Sequence, residues 1–408
     1  MKKSNDAKLL EQAGRKVSQC QRCGTCLTVC PLYAIDDVEK VSPRGKSMLA
    51  RGLDQGGVEP TEEVLRAVDF CLLCGACSAN CPNKVRTDDT VIDVREYLMQ
   101  QNGGPGLKYK TMGNMLKSRG MVSLATGAMK VLRGLGLGGI VPNGMLPDQY
   151  TREQFLAAFA GPRVFGQAAE PSKLKISKEM QVAYFKGCTM KMIFPEVVKD
   201  TLKILEGITT PLVMENVCCG LPHLAHGLRN EFLELAKKNI ELYAEADIVV
   251  TDCASCGSTL KHMVEYFADD PHWQSRAAAF SRKVIDITEY LVGVGYSPRQ
   301  KLTATLTYHD PCHLVRGQGI KKQPRQLLQA AGNFVDMKAA DTCCGGAGSF
   351  HMDYPEVSTR ILANKQRNIE QTGADVVVTG CPVCLIQLNK AAKSSGGKFK
   401  AMHICQVI

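Results

Sequence analysis

In the C-terminal half of the chain, short apolar runs alternate with longer segments of helical periodicity. The first apolar runs are Gln181–Lys186, Pro211–Met214 and Ala246–Thr251. Segments with helical spacing separate them, at Pro195–Leu205 and about Asn230–Ala244. This strand–helix–strand–helix–strand order predicts parallel strands that are joined by right-handed helical crossovers.

The same order of elements then occurs a second time. Its apolar runs are Leu302–Tyr308, Phe334–Met337 and Ala374–Thr379. In both copies a cysteine or a group of cysteines follows each apolar run closely in the chain. Because parallel strands end at the same edge of a sheet, we expect cysteines that are distant in sequence to meet there.

The cysteines of the two copies form two matching sets of five. The first set is Cys188, Cys218, Cys219, Cys253 and Cys256, and the second is Cys312, Cys343, Cys344, Cys381 and Cys384. Similar spacing in two copies indicates a repeated ligand set. Five thiolates exceed the four that a cubane cluster needs, so a cubane with one free cysteine is one interpretation. A zinc ion beside a redox-active thiol pair is another.

The N-terminal region contains a different cysteine pattern, which also occurs twice. Both runs have the spacing C-x2-C-x2-C-x3-C-P, and all four cysteines shift by 51 residues between them. This is the run of bacterial ferredoxins, in which the fourth cysteine binds the other cluster, and two zinc sites are the alternative. The pattern therefore predicts one [4Fe–4S] cluster at Cys20, Cys23, Cys26 and Cys81, and a second at Cys71, Cys74, Cys77 and Cys30.

The segments beside these runs have helical patterns. Glu62 and Glu63 open a helix at the end where negative charge is favourable. A second helix presents Val91, Val94 and Leu98 on one face and ends before Gly103–Gly104. This arrangement resembles the helical ferredoxin domain of succinate dehydrogenase iron–sulfur subunits.

The segment between the two regions is basic and carries no acidic residue from Tyr97 to Pro147. It is expected to be a solvated linker with some helix, or an amphipathic segment that lies on anionic lipid or an acidic subunit. Its glycine motif Gly134–Gly139 matches a dinucleotide fingerprint, but no strand precedes it and Pro142 breaks any following helix. We therefore expect no nucleotide site there.

These patterns predict an α+β fold with a helical two-cluster ferredoxin domain followed by two repeated α/β cysteine-rich domains that have small parallel sheets. The predicted parts are residues 1–100, the connector 101–175, and the repeats 176–298 and 299–408.

The composition narrows the class of protein only slightly. The net charge of +10 suits an acidic partner or a membrane surface, and no aromatic–basic interleaving favours nucleic acid. The first residues contain no apolar export signal, and the chain has no long uncharged apolar run. We expect a cytoplasmic protein, or one held peripherally on the inner face of the cell membrane.

The repeated C…CCG…CxxC pattern after two ferredoxin runs resembles the cysteine-rich-domain family of iron–sulfur oxidoreductases over nearly the whole chain. This family includes the iron–sulfur subunit of glycolate oxidase, lactate-utilisation subunits and the cysteine-rich subunits of heterodisulfide reductases. The resemblance implies that each five-cysteine set holds an iron–sulfur cluster, which in heterodisulfide reductases is a noncubane [4Fe–4S] cluster. Both five-cysteine motifs are complete here, whereas the last motif of glycolate-oxidase subunits is often degenerate.

Two histidines accompany the second set only. His309 and His313 flank Cys312, while the first copy has no histidine near Cys188. Histidine can transfer protons near neutral pH, so the second site is a candidate for proton-coupled reduction. Alternatively, both histidines only hydrogen-bond and tune the potential. His223 and His226, which follow Cys219, raise the same question.

The function that these features predict is electron transfer. The chain would accept electrons from a flavoprotein subunit that oxidises glycolate or D-lactate, and pass them to a quinone-reactive membrane subunit or another acceptor. No flavin or nucleotide fingerprint occurs in the chain, so the substrate site is expected on a partner. The alternative is a heterodisulfide-reductase-type subunit that reduces a disulfide at its second cysteine set, and a zinc-bound interaction module is the third. Cys405 lies outside every set and is expected to be a structural thiol.

Overall fold

The computed structural model describes residues 5–134, 180–298 and 301–408. Within those residues the chain forms two compact units. The first unit comprises Met1–Asn114, Gly220–Leu233 and Gly345–Ile361. The second unit comprises Met115–Cys219, Glu234–Cys344 and Leu362–Ile408. The chain therefore passes from the second unit to the first directly after each cysteine pair.

The N-terminal part of the first unit is helical. Its helices are α1 (Asn5–Val17), α2 (Pro43–Asp54), α3 (Glu62–Asp69), α4 (Ala76–Ala79), α5 (Thr87–Gln101) and α6 (Leu107–Lys117, which crosses into the second unit). Two 3₁₀ turns, Thr25–Val29 and Glu39–Val41, lie between them. The predicted helix at Glu62 is confirmed as α3, where the Thr61 side chain caps the Val64 amide. The predicted helix ahead of Gly103–Gly104 is confirmed as α5.

The segments that follow the two cysteine pairs are held to the helical part by charged and aromatic contacts. Arg229 donates to the buried carboxylates of Asp93, at 2.8 Å, and Glu96. Phe70 packs on Phe350 and Tyr354, with ring centroids 5.7 and 4.9 Å apart. The first of these segments contains helix α10 (Leu221–Ala225) and the start of α11 (Arg229–Leu242), and the second contains α17 (Phe350–Asp353) and the start of α18 (Pro355–Glu370).

The second unit contains two parallel sheets of four strands each, in the same order. The first sheet has the order β2-β1-β3-β4 and the second the order β6-β5-β7-β8. Their strands are β1 (Val182–Tyr184), β2 (Leu212–Val213), β3 (Ile248–Thr251), β4 (Val284–Asp286), β5 (Leu302–Tyr308), β6 (Gly332–Phe334), β7 (Val376–Thr379) and β8 (Lys400–His403). Equal strand order in both sheets confirms the predicted duplication and the parallel pairing.

The other helices of the second unit lie before, between and after these strands in the chain. They are α7 (Arg119–Gly134), α8 (Cys188–Ile193), α9 (Pro195–Glu206), α12 (Ala254–His262), α13 (Pro271–Lys283), α14 (Ile287–Gly293), α15 (Cys312–Val315), α16 (Lys322–Ala331), α19 (Pro382–Ser394) and α20 (Ile404–Val407). The central strands β1, β3 and β7 are buried along their whole length, and one hydrophobic core includes residues of both sheets.

Two features of the sheets were not predicted from the sequence. The fourth strand of each sheet, β4 and β8, was not predicted. These strands are only three and four residues long, which is too short to show an alternating apolar pattern. The second apolar run of the second copy, predicted at Phe334–Met337, forms a strand that begins and ends earlier, at Gly332–Phe334.

The connector is described only as far as residue 134, where α6 and α7 cover part of it. The glycine motif beyond residue 134, and the rest of the connector to residue 175, lie outside the described residues. None of the described helices combines the length and apolar character needed to cross a bilayer.

Candidate metal centres

The first ferredoxin thiol set surrounds a cavity in the helical part of the first unit. The cavity has a volume of about 390 Å³, and Arg44, Ser47 and Thr87 line it beside the thiols. The cysteines around it are Cys20, Cys23, Cys26, Cys81 and Cys77. Cys81 comes from the other run, so the structure brings the fourth cysteine of one run to the first three of the other.

The second ferredoxin set surrounds a separate cavity of about 390 Å³. Its cysteines are Cys30, Cys71, Cys74 and Cys77. Cys30 therefore crosses over in the reciprocal way. Cys77 contacts both cavities, which places the two sites side by side within this unit.

The backbone repeats with the same period as the thiols. Arg22 and Gly24 adopt left-handed conformations with φ of 57° and 83°, and so do Leu73 and Gly75, 51 residues later, with φ of 50° and 67°. A non-glycine residue in this region costs about 1 kcal/mol or more. Both loops therefore accept strain to curl three thiols round one cavity, which fits a compact inorganic group.

A buried lysine lies beside the second ferredoxin set. Lys46 is 4% exposed and its Nζ donates to the Val41 carbonyl. Burial lowers the pKa of Lys46, while the nearby thiols of Cys71 and Cys30 act in the opposite direction. Sequence reasoning missed this residue, although its spacing to Ala50 and Leu53 on the apolar face of α2 was a usable signal.

In the second unit, the five thiols of the first set form a continuous chain of contacts. Cys188 Sγ lies 3.7 Å from Cys218 Sγ. Cys218 is also hydrogen-bonded to Cys219, Cys219 to Cys256, and Cys256 to Cys253. The structure thus brings together all five predicted residues, although Cys188 and Cys256 are 68 positions apart in the chain.

Four thiols of this set follow the carboxyl end of a strand, and the fifth, Cys256, lies in the first turn of α12. Cys188 begins α8 after β1, Cys218 and Cys219 follow β2, and Cys253 caps α12 after β3. Gly187 lies beside these thiols, and a Cβ there would be in van der Waals contact with Cys256 Sγ, at 3.4 Å.

The electrostatics of the first set favour a bound cation. Hydrogen bonds to Cys219 and Cys253, together with burial, raise the pKa of Cys256 well above its ordinary value. Hydrogen bonds to Cys188 and Cys219 raise the pKa of Cys218 in the same way. Buried thiols this close cannot all ionise without positive charge among them, and iron supplies it. The donor set therefore fits an iron–sulfur cluster.

Part of the connector covers the first set. A cavity of about 240 Å³ is lined by Cys188, Cys218 and Lys191, and by the buried side chains of Leu116 and Val122. These two residues belong to α6 and α7, so the connector is more than a solvated linker at this point. Their apolar side chains cover one side of the thiols.

Three thiols of the second set are in direct contact, and the other two have partners of different kinds. Cys344 Sγ lies 3.4 Å from Cys384 Sγ, and Cys384 is hydrogen-bonded to Cys381. Hydrogen bonds from Cys384 and Ser255 lower the pKa of Cys381 to about 6. Cys343 is buried beside Cys344, and both act electrostatically on Lys365. Cys312 Sγ lies 3.8 Å from His313 Nδ1.

Ser255 connects the two five-cysteine sets. Its Oγ lies 3.4 Å from Cys381 Sγ and 3.3 Å from His313 Nδ1 of the second copy. The neighbouring Ala254 amide donates to the Gly380 carbonyl at 2.9 Å. The two sets are therefore neighbours within the second unit, and nothing in the sequence pattern singled out Ser255.

The two candidate histidines have unlike surroundings. His309 follows β5, is 1% exposed, and neither of its ring nitrogens has a hydrogen-bond partner among the described residues. Burial holds the pKa of His309 well below its ordinary value. His313 is half-buried and contacts Ser255 and Cys312. Whether either residue transfers protons stays a prediction.

The histidines after Cys219 belong to the first unit. His223 Nε2 pairs with the Gly113 carbonyl at 3.1 Å. His226 Nε2 pairs with Ser349 Oγ at 2.9 Å, and its ring stacks on Tyr109. Cys405 lies fully buried in an apolar core, consistent with a structural thiol.

Lys365 is a second buried lysine that sequence reasoning missed. It is 1% exposed, and its Nζ donates to the carbonyls of Ala339 and Ala340 at 2.8 and 3.1 Å. Its signal in the sequence was a lysine on the apolar face of α18, between Leu362 and Ile369.

Comparison with known families matches the regions that contain these thiols. The model of the cysteine-rich domain matches residues 182–261 and 306–389, and that of the 4Fe-4S dicluster domain matches residues 16–85. The probable glycolate oxidase iron–sulfur subunit of Bacillus subtilis is 31% identical, over 95% of this chain and 92% of its own length. The chain belongs to the cysteine-rich-domain iron–sulfur oxidoreductase family. It is thus an iron–sulfur oxidoreductase subunit, and its cofactors are iron–sulfur clusters.

Two other members of the family are similar over different lengths. A fumarate reductase (CoM/CoB) subunit of Methanothermobacter marburgensis is 24% identical, over 97% of this chain and 73% of its own length. Lactate utilization protein A of Shouchella clausii is 31% identical, over 56% of this chain and 98% of its own length. The family resemblance read from the cysteine motifs is confirmed.

Proposed function

We propose that the chain is the electron-transfer subunit of a flavoprotein-linked 2-hydroxy-acid dehydrogenase that oxidises glycolate or D-lactate. It relays electrons to a quinone or another acceptor. The observation that carries this proposal is the contact between the two five-thiol sets through Ser255, because neighbouring redox sites allow electrons to pass between them. The names of the relatives from Bacillus subtilis and Shouchella clausii support the substrate class.

The cofactors of this proposal are four iron–sulfur clusters, which supply one-electron transfer when they are bound. The ferredoxin sets hold two [4Fe–4S] cubanes, with Cys81 and Cys30 as the exchanged ligands. Each five-cysteine set holds one further cluster of the noncubane type. Five protein thiols at each site, instead of four, favour that type over a cubane.

The chain's own residues control the surroundings of these sites. Leu116 and Val122 cover one side of the first five-cysteine site. Lys46 and Lys365 place buried positive charge beside a ferredoxin set and the second five-cysteine set. Positive charge near a centre favours its reduced form, so both lysines raise the reduction potential of the neighbouring centre.

The substrate site belongs to a partner in this proposal. A flavoprotein subunit oxidises the hydroxy acid, because the chain carries no flavin or nucleotide fingerprint. The basic segment 101–175 is the proposed contact with an acidic subunit or with the cytoplasmic face of the membrane. The repeats 176–298 and 299–408 serve as the two cysteine-rich domains, after the ferredoxin domain at 1–100.

A second candidate is reduction of a disulfide at the second five-cysteine site. Its specific support is the complete second set with the half-buried His313 beside Cys312. The relative from Methanothermobacter marburgensis carries a CoM/CoB fumarate reductase name. In this alternative His313 supplies the proton to the departing thiolate, and both thiols are released after two electrons and two protons.

One experiment separates the two candidates. The tagged chain is purified anaerobically from its own host, and co-purified flavin is measured. Glycolate or D-lactate is then added while the visible absorbance of the clusters is followed. The proposal predicts flavin in the preparation and bleaching by a hydroxy acid, and weaker bleaching in the Cys74→Ser variant of the second ferredoxin set.

Disulfide reduction predicts a different result in the same experiment. A preparation without flavin that ignores both hydroxy acids, but oxidises reduced viologen when a disulfide is added, would replace the first candidate by the second.

A further inference from the structure

His309 has an unusual position for a buried histidine. It is the first residue after β5, and its backbone amide donates to the Val378 carbonyl at 2.9 Å, so the sheet fixes its place. Its side chain is inside the protein, with 1% of the residue exposed. Nδ1 and Nε2 both lack a hydrogen-bond partner among the described residues. A buried polar nitrogen without a partner is unfavourable, so this arrangement calls for a ligand.

The unpartnered ring is directed at the second thiol set. One ring nitrogen of His309, Cys344 Sγ and Cys384 Sγ all lie within 4.8 Å of one another. All three residues are buried. One nitrogen and two sulfurs at this separation can share a single metal ion, and imidazole and thiolate are both good ligands for iron.

The first copy of the repeat has no such nitrogen. The residue three positions before Cys188 is Phe185, just as His309 is three positions before Cys312. Phe185 is fully buried and packs near Tyr243, with ring centroids 5.9 Å apart. The fold therefore accepts an apolar ring at this position. The imidazole of the second copy is thus not needed for folding of the repeat.

We propose that His309 is a nitrogen ligand of the iron–sulfur centre in the second five-cysteine site, next to Cys344 and Cys384. The first site then has sulfur ligands alone, and the two sister sites differ in kind. The imidazole is a neutral ligand added to the five thiols of the second set, so the two centres differ in ligand type and therefore in reduction potential.

This inference rests on the proposed cluster at the second site, and the test separates the two. The chain is produced with ¹⁵N in its histidine rings, purified anaerobically, and poised at successive steps of a reductive titration. Pulsed EPR then measures the nitrogen coupling of each paramagnetic centre. Where a centre is diamagnetic, the ring ¹⁵N resonance of the same protein reports coordination.

Three variants sharpen the measurement. His309→Phe copies the residue of the first repeat and removes the nitrogen. His309→Cys replaces the imidazole by a thiolate. His313→Gln is the matched control, since His313 already pairs with Ser255 and Cys312. Iron and sulfide contents and circular dichroism are recorded for every variant, so that loss of a signal is distinguished from loss of the fold.

The expected result is a directly bonded histidine nitrogen on one centre of the wild type and of His313→Gln. That coupling is absent in His309→Phe and His309→Cys. In His309→Cys the iron is retained and the potential of one centre falls. A cluster in the second site without nitrogen coupling, or coupling that survives in His309→Phe, would overturn this inference alone. If the iron content corresponds to the two ferredoxin clusters alone, both this inference and the proposed function are overturned.

Discussion

Cys188 Sγ lies 3.7 Å from Cys218 Sγ, although 30 positions separate the two residues in the chain. Two adjacent parallel strands, β1 and β2, bring them together, because each cysteine follows the carboxyl end of its strand. The same sheet adds Cys253 after β3. Sheet topology therefore brings widely spaced cysteines together into one group of thiols.

The central thiol of this set allows a direct test. Cys219 is hydrogen-bonded to both Cys218 and Cys256, so Cys219→Ser removes the middle of the chain of contacts. We expect the variant to lose about four irons per chain, the content of one cluster. Cys405→Ser is the control, since Cys405 is equally buried but outside every set. Iron analysis measures this loss. An unchanged iron content in Cys219→Ser would contradict the assignment of a cluster to the first five-cysteine set.

Lys46 is predicted to set the potential of the second ferredoxin site. It is buried and electrostatically coupled to Cys71, Cys30 and Cys77. Lys46→Met removes one positive charge and keeps much of the shape of the side chain. At an effective dielectric constant of about 20, a charge several ångströms away is worth about 2 kcal/mol. We therefore expect one potential to fall by a shift on the order of 80 mV in an EPR-monitored redox titration.

The matched control for this charge is Lys40→Met. Lys40 also lies in the first unit, but its side chain is 61% exposed. Solvent screens such a charge, so its removal is expected to leave every potential unchanged. Equal shifts in both variants would show a general effect of net charge.

Gly345 is predicted to be irreplaceable after the second cysteine pair. Its φ is +81°, and a Cβ would lie 2.8 Å from the Ser358 carbonyl. Gly345→Ala therefore combines left-handed strain of about 1–2 kcal/mol with a backbone clash. We expect a loss of more than about 2 kcal/mol in the free energy of unfolding, with less iron bound.

A neighbouring glycine provides the comparison for Gly345. Gly348 has a similar φ of +63°, but no atom within 4 Å of a Cβ. Gly348→Ala should cost only about 1 kcal/mol and retain all the iron. Denaturation of both variants under anaerobic conditions measures the difference, and equal losses would show that the Ser358 carbonyl is able to move aside.

His226 is predicted to make the first unit sensitive to acid. Burial lowers the pKa of His226 from its ordinary value of 6.5 to about 4. Between these values the unfolded chain binds a proton that the folded chain does not, so the free energy of unfolding decreases as the pH falls from about 6.5 to about 4. The full effect is about 3 kcal/mol.

The variant His226→Gln removes this titration while it keeps a partner for Ser349. Its stability should therefore change less than that of the wild type between about pH 7 and about pH 5. The exposed His272 supplies the control variant His272→Gln. Identical pH profiles for His226→Gln and the wild type would exclude the buried imidazole as the cause.

Much of the architecture could be predicted from two patterns in the sequence, the cysteine spacing and the order of the strands. Cysteine spacing predicted the exchange of Cys30 and Cys81 between the ferredoxin sets, because it matches the bacterial ferredoxin run, in which the fourth cysteine binds the other cluster. Strand order predicted that the ends of β1, β2 and β3 meet. Both inferences depend on backbone geometry, which short motifs and periodicity determine.

The remaining features depend on tertiary packing. The contact of Ser255 with Cys381 joins two copies of the repeat, and no spacing within one copy contains that information. The covering of Cys188 by Leu116 comes from a helix that precedes both sheets. The orientation of His309 toward Cys344 and Cys384 likewise depends on side-chain packing at the end of β5.

The most direct test of the central claim is the content of iron and acid-labile sulfide per chain after anaerobic purification. Clusters in both ferredoxin sets and both five-cysteine sets predict about 16 atoms of each. About 8 of each, with the five-cysteine sets of the second unit still reacting as free thiols in the native protein, would contradict it.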